Sequence, residues 1–141
     1  MTQTKVSLEQ AIQQLSKMHS AFMFSQVLFA FVLVIQDPPI KELPAGFVIP
    51  FFAIAMLNVG LAMLWSKKQL VGDAEERLRL DPDDLAARLD LFRGLIISWA
   101  LCESSGLFGF VLRFLGIGWK AAGPLFVLAI VGLQLCTPRR P

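Results

Sequence analysis

The stretch WALCESSGLFGF, residues 99–110, places an acidic side chain, Glu103, inside an apolar run long enough to cross a bilayer. It is the only acidic residue in any of the long apolar runs. A carboxyl group at that depth costs a few kcal/mol even on mild scales, so it must face a partner or water, and such residues mark functional sites. Two chemistries suit it: a hydrogen-bonded clamp between helices, or the binding of a proton or cation. Depth indicates the neighbours. At about 1.5 Å per residue, Gln26, Asn58 and Glu103 lie roughly 12, 10 and 13 Å in from the same side of the membrane. Glu103, Asn58 and Gln26 are therefore the expected intramembrane polar layer, with interhelical bonds contributing on the order of 0.6 kcal/mol each.

Other chemistries are excluded by what the chain lacks. A single histidine, His19, cannot supply paired haem ligands, and two distant cysteines with one histidine do not make a zinc site. Met18, His19 and Met23 have soft-ligand chemistry, but methionines at helical spacing read as packing. Cys102 is expected in mid-membrane and Cys136 at the end of the last span, at different depths and unbridged. No phosphate-binding glycine loop, nucleophile elbow or metalloprotease motif is present. No metal, cofactor or enzymatic activity is expected, since catalysis needs convergent polar groups. The formal net charge of +2 gives no reason to expect a nucleic-acid partner.

The segment ESSGLFGFVL, Glu103–Leu112, resembles the ion-binding helix of rotary-ATPase proteolipid subunits, where an intramembrane glutamate precedes a glycine–aromatic–glycine segment. The resemblance implies that Glu103 binds a proton or sodium ion and that Gly106 and Gly109 allow close helix packing. It is confined to those residues. The regularly spaced glycines of that family's preceding helix are missing from AFMFSQVLFAFVLVI, and FVIPFFAIAMLNVGLAML has only Gly60.

The elements that must position these residues follow from hydropathy. The 141 residues are 55% hydrophobic and 17% charged, with mean hydropathy +0.62. Apolar blocks predict spans at 18–36, 47–65, 94–115 and 119–136, about 20 residues being enough for a hydrocarbon core. The last is the shortest. The first block starts late and runs into QDPPIKELP rather than a cleavage site, so it is expected to persist as a helix. Lysine and arginine concentrate in the N-terminal arm, the 66–93 loop and the tail, which puts both termini and that loop in the cytoplasm. Trp65 and Trp119 fall at span ends, and Arg113 is expected to snorkel to the outer interface.

Finer features complete the layout. Ser7 and Gln10 form a capping-box pattern opening a short amphipathic helix with Leu8, Ile12 and Leu15 on one face. DPPIKELPAG predicts a tight external turn. Within 66–93, Asp81-Pro82-Asp83-Asp84 predicts a helix start capped by Asp81 with Pro82 first in the helix. Asp73 with Arg77, Glu75 with Arg79 and Asp84 with Arg88 are spaced as helical ion pairs. Leu70, Ala74 and Leu78 are expected to zip against Leu85, Leu89 and Phe92. Along span three, Gly94, Ser98, Cys102, Ser105, Gly109 and Gly116 form a stripe of small residues; Ser98, Cys102, Ser105 and Gly109 are its helix-packing face. If the stripe packs inward, Glu103 points to a side seam; if Glu103 points inward, the stripe is free to pack against a second subunit.

These features predict a single all-α domain over 1–141: an integral membrane four-helix bundle with a cytoplasmic helical hairpin at 66–93. The expected location is a bacterial inner (plasma) membrane, multi-pass. The expected partners are the lipid bilayer and either a second copy or another membrane subunit. The expected role is a non-enzymatic accessory or assembly subunit; the alternative is an oligomeric proton- or cation-handling protein using Glu103.

Overall fold

A computed structural model describes residues 8–41 and 44–137, and these are helical with short connections and no strand. The helices are α1 (Leu8–Gln36), α2 (Ala45–Leu61), α3 (Gly72–Leu80), α4 (Leu85–Phe114) and α5 (Trp119–Leu135), with a π-helical segment, Ala62–Val71, joining α2 to α3. Three stretches, Gln13–Gln36, Gly46–Leu64 and Leu85–Phe114, are long and apolar enough to cross a membrane, and Trp119–Leu135 is a shorter apolar helix. At 17 residues, α5 is about 25 Å long against a hydrocarbon core of about 30 Å. The architecture is consistent with a helical membrane bundle.

No breaker separates the amphipathic start from the first apolar block, so α1 runs unbroken through both. The proposed Ser7 cap and the Trp65 ring lie outside the described residues, as do Lys5, Arg139 and Arg140. The second apolar helix likewise does not stop where the charged loop begins. The Ala62 N–H bonds the Asn58 and Val59 carbonyls, and the π segment carries the chain straight into α3.

The hairpin differs from expectation in two ways. α4 begins three residues later than the Asp81-Pro82 signal suggests. Its N-cap is Asp84, whose Oδ1 accepts the Ala87 N–H at 2.9 Å. Asp81 instead accepts the Asp83 N–H at 3.0 Å and closes the turn. The zipper also rotates. Leu85 and Leu89 are exposed, and the α3–α4 contact is filled by Ala74 and Ala87. Lower down, Val71 and Leu70 press on Gly94, where an added Cβ would stand 2.9 Å from Val71 Cγ2 and 3.0 Å from Leu70 Cβ. Small residues let the arms approach more closely than leucines would.

That approach sets the ion pairing. Arg77 reaches across to Asp84 at 2.9 Å and Asp90 at 3.0 Å rather than back along its own helix. The bond from Asp84 raises the Arg77 pKa, and the Ala87 N–H, followed by Arg77, lowers that of Asp84. This contribution of Asp84 is complete at neutral pH and is lost as pH falls through its lowered value. Arg88 pairs with Asp83 at 3.2 Å and also bonds the Pro82 carbonyl.

Every other element packs on α4. α1 runs parallel to it, and α2 and α5 run antiparallel. α5 touches α1 and α2 as well, whereas α1 and α2 do not touch each other. The small-residue stripe faces inward. Gly109 accepts the Ala122 backbone and the Phe126 ring, each 3.0 Å from where a Cβ would be, and Cys102 Sγ lies 2.8 Å from the Cβ position of Gly132. Gly123, by contrast, has nothing within 4 Å. Gly109→Leu should therefore destabilise the detergent-purified chain by about 1–3 kcal/mol through overpacking and lower its thermal midpoint. Gly123→Ala should leave it unchanged or higher. Equal melting of the two variants would contradict this packing.

Candidate functional site

α4 carries two polar side chains side by side, Glu103 and Ser104, and helix geometry turns them about 100° apart. They consequently meet different helices. Glu103 Oε1 lies 2.5 Å from Ser25 Oγ of α1. Ser104 Oγ accepts Asn58 Nδ2–H of α2 at 2.7 Å and donates to the Leu101 carbonyl at 2.7 Å. The polar groups at this level thus form two separate dyads on opposite flanks of α4. Glu103, Asn58 and Gln26 do not bond one another.

Ser25 Oγ faces two acceptors, Glu103 Oε1 at 2.5 Å and the Phe22 carbonyl at 2.7 Å, with one hydroxyl hydrogen to give. The second carboxyl oxygen, Oε2, is an acceptor.

Gln26 sits one helical step further along the same seam, 1% exposed, with its carboxamide laid on the bare backbone of Gly106. A Cβ at Gly106 would fall 1.6 Å from Gln26 Oε1, so only glycine leaves room for this side chain. Neither Oε1 nor Nε2 has a hydrogen-bond partner. An unsatisfied buried amide costs about 1–3 kcal/mol.

The packing face lies within the chain. Ser98, Cys102, Ser105 and Gly109 are all buried. Ser98 Oγ donates to the Gly94 carbonyl at 2.8 Å and Ser105 Oγ to the Ala55 carbonyl at 3.4 Å. The cysteines are closer than the expected difference in depth allows. They share one buried cluster, and no disulfide joins them. Side chains lean toward the N-terminus of their own helix, so on antiparallel helices Cys102 and Cys136 lean toward each other and close the gap. Beside them Trp99 Nε1–H donates to the Cys136 carbonyl at 3.1 Å. His19 Nε2–H donates to the Leu133 carbonyl at 3.0 Å, and its ring packs on Trp99. His19 therefore serves as packing. Among the described residues, no three His, Cys, Asp or Glu side chains gather as a metal site would need.

Arg113 does not snorkel. It is 1% exposed, donating from Nη1 to the Pro38 carbonyl at 2.7 Å and from Nη2 to Asp37 Oδ1 at 3.0 Å, with its guanidinium 5.7 Å from the Trp119 ring. The prolines at 38 and 39 stop α1 and leave a carbonyl that no helical N–H can take; the arginine takes it. Gly116, at φ +98°, lets the α4–α5 turn pass under the same loop, and its carbonyl accepts the Lys41 N–H at 2.8 Å. A shallow groove lined by Val48, Ile49, Phe52, Ala53, Met56 and Ala121 is wholly apolar and holds no chemistry.

Sequence reasoning named Glu103 and Asn58 but not their partners, Ser25 and Ser104. The signal was adjacency: each partner serine stands next to a flagged residue, Ser25 beside Gln26 and Ser104 beside Glu103. Comparison of the chain with protein-family models, curated proteins and solved structures finds no match in any of the three.

The loop anchor gives a direct check. Arg113→Gln removes charge-assisted bonds to Pro38 and Asp37, and should destabilise the purified chain by roughly 1.5–3 kcal/mol. Lys41→Gln, whose contact runs through the backbone, should melt like the unmodified chain. Parity between the two would show that the guanidinium bonds do not hold the loop.

Proposed function

We propose that this chain is a small, non-enzymatic membrane protein that crosses the bilayer four times and works as an accessory or assembly subunit of a membrane complex. On this reading both termini and the hairpin are cytoplasmic, in a bacterial inner membrane, and the hairpin supplies the contact to another subunit. The supporting observation is the hairpin's outer surface. Leu80, Leu85 and Leu89 are 83%, 63% and 49% exposed. With Leu115 at the far edge of the hydrocarbon, 20 residues of helix reach about to Leu95. Leu85 and Leu89 then stand roughly 9–15 Å beyond it. Adjacent leucines exposed outside the hydrocarbon mark an interaction surface.

The test is Leu85→Glu combined with Leu89→Glu in the native membrane, reading the size of the solubilised assembly on native gels. The assembly should shrink toward the free chain while the purified variant melts normally, because neither side chain packs inside. An assembly of unchanged size would count against the reading. Reversing Arg77 is a poorer probe, since that guanidinium braces the hairpin itself.

A second reading, proton or cation handling by an oligomer through Glu103, draws support from Gln26. Its carboxamide is buried without a partner in the seam that holds Ser25 and Glu103, and a small polar ligand would satisfy it. Under this reading Glu103→Gln abolishes ion flux into proteoliposomes while the variant stays folded; wild-type flux in the variant would end it.

A further inference from the structure

The outer face of α4 is left uncovered between its two flanking helices. Because α1 and α2 flank α4 without meeting, Ala100, Leu107 and Val111 remain exposed between them, the last two at 42% and 41%. Helix geometry puts these three between Glu103 and Ser104 in angle. The uncovered face is therefore bounded by a polar dyad on each side, at one level of the membrane. On the α1 edge, Glu103 offers Oε2 as an acceptor. On the α2 edge, Asn58 has given one amide hydrogen to Ser104 and retains a second. One edge accepts, and the other donates.

We infer that this face is a two-fold interface between two copies of the chain, with Glu103 of each copy accepting a hydrogen bond from Asn58 of the other. Two copies facing each other about an axis along the membrane normal bring the α1 edge of one against the α2 edge of its partner, so an isologous contact must be self-complementary. Here the acceptor and the donor lie on opposite edges at the same depth, and the two-fold pairs them twice. The middle of the face suits close approach, since Ala100 and Ser104 are a small-xxx-small pair. The arrangement also gives Glu103 Oε2 a donor that the single chain does not supply. This interface goes beyond the accessory-subunit reading and does not depend on it.

The experiment uses the purified full chain in liposomes, with Förster transfer between donor- and acceptor-tagged copies read as the protein is diluted in lipid. The unmodified chain should dimerise. Glu103→Ala or Asn58→Ala alone removes both reciprocal bonds and should weaken the dimer roughly sevenfold at the average strength of such bonds. Mixing the two variants should restore part of the affinity, since a heterodimer regains one intact Glu103–Asn58 bond. Ala100→Trp, on an exposed position, should abolish transfer without changing the thermal midpoint, whereas Val27→Phe on the outer side of α1 should do neither. Transfer at background for the unmodified chain at every dilution overturns the inference. So does a dimer that tolerates Ala100→Trp, or a mixture no tighter than either variant alone.

Discussion

The close approach of α4 and α5 is the constraint on which the rest of the structure depends. It is made possible by an absence of side chain: Gly109 admits the Ala122 backbone and the Phe126 ring, and Gly132 admits Cys102. Buried around this contact are thiols, serine hydroxyls that bond backbone carbonyls, and Trp99 with its indole N–H bonded to the Cys136 carbonyl. α1 and α2 then have one kind of place left, flanking the α4–α5 pair on either side. That is why they touch both central helices and not each other.

How much of this the sequence discloses depends on which physical rule operates at each point. Hydropathy over 20-residue windows locates the apolar helices well because burial in hydrocarbon is a bulk property of a whole segment. The 3.6 period locates the small stripe on α4 for the same reason. Neither says what the stripe packs against, so the direction of Glu103 stayed a fork until the inward packing of Cys102 and Gly109 decided it. The hairpin shows a subtler failure. Leu85 and Leu89 at helical spacing look like one side of the zipper, yet they are exposed, and Ala87 and Gly94 take their place while Ala74 and Leu70 pack as expected, because two arms sharing a tight turn gain more from approach than from bulk. The cysteines show the limit of counting rise per residue, which places Cα atoms but ignores the lean of Cβ.

Arg113 illustrates how a connection overrides a local preference. A lone arginine near a helix end prefers to reach water. The adjoining DPP turn, however, presents a carbonyl stripped of any helical donor, and Gly116 brings that turn over the end of α4. A charged donor bonded to a carbonyl and to Asp37 satisfies two groups at once. The sequence contains both halves of this contact but not the fold-back that joins them, since they are 75 residues apart.

The placement of the polar dyads follows from the same packing logic. A carboxyl group cannot enter the α4–α5 contact without displacing side chains there, and it cannot stand alone in hydrocarbon. The α1 seam is the intermediate location, where Glu103 is half-buried and bonded to Ser25. Asn58 on the α2 seam is likewise half-buried, with one amide hydrogen given to Ser104 and a second remaining. Polar groups bonded on one side only carry directional information that leucine and valine on the same surface lack. In a lipid solvent as apolar as the helices themselves, hydrophobicity does not draw surfaces together, and half-satisfied hydrogen bonds of this kind are what distinguish one face of a bundle from another.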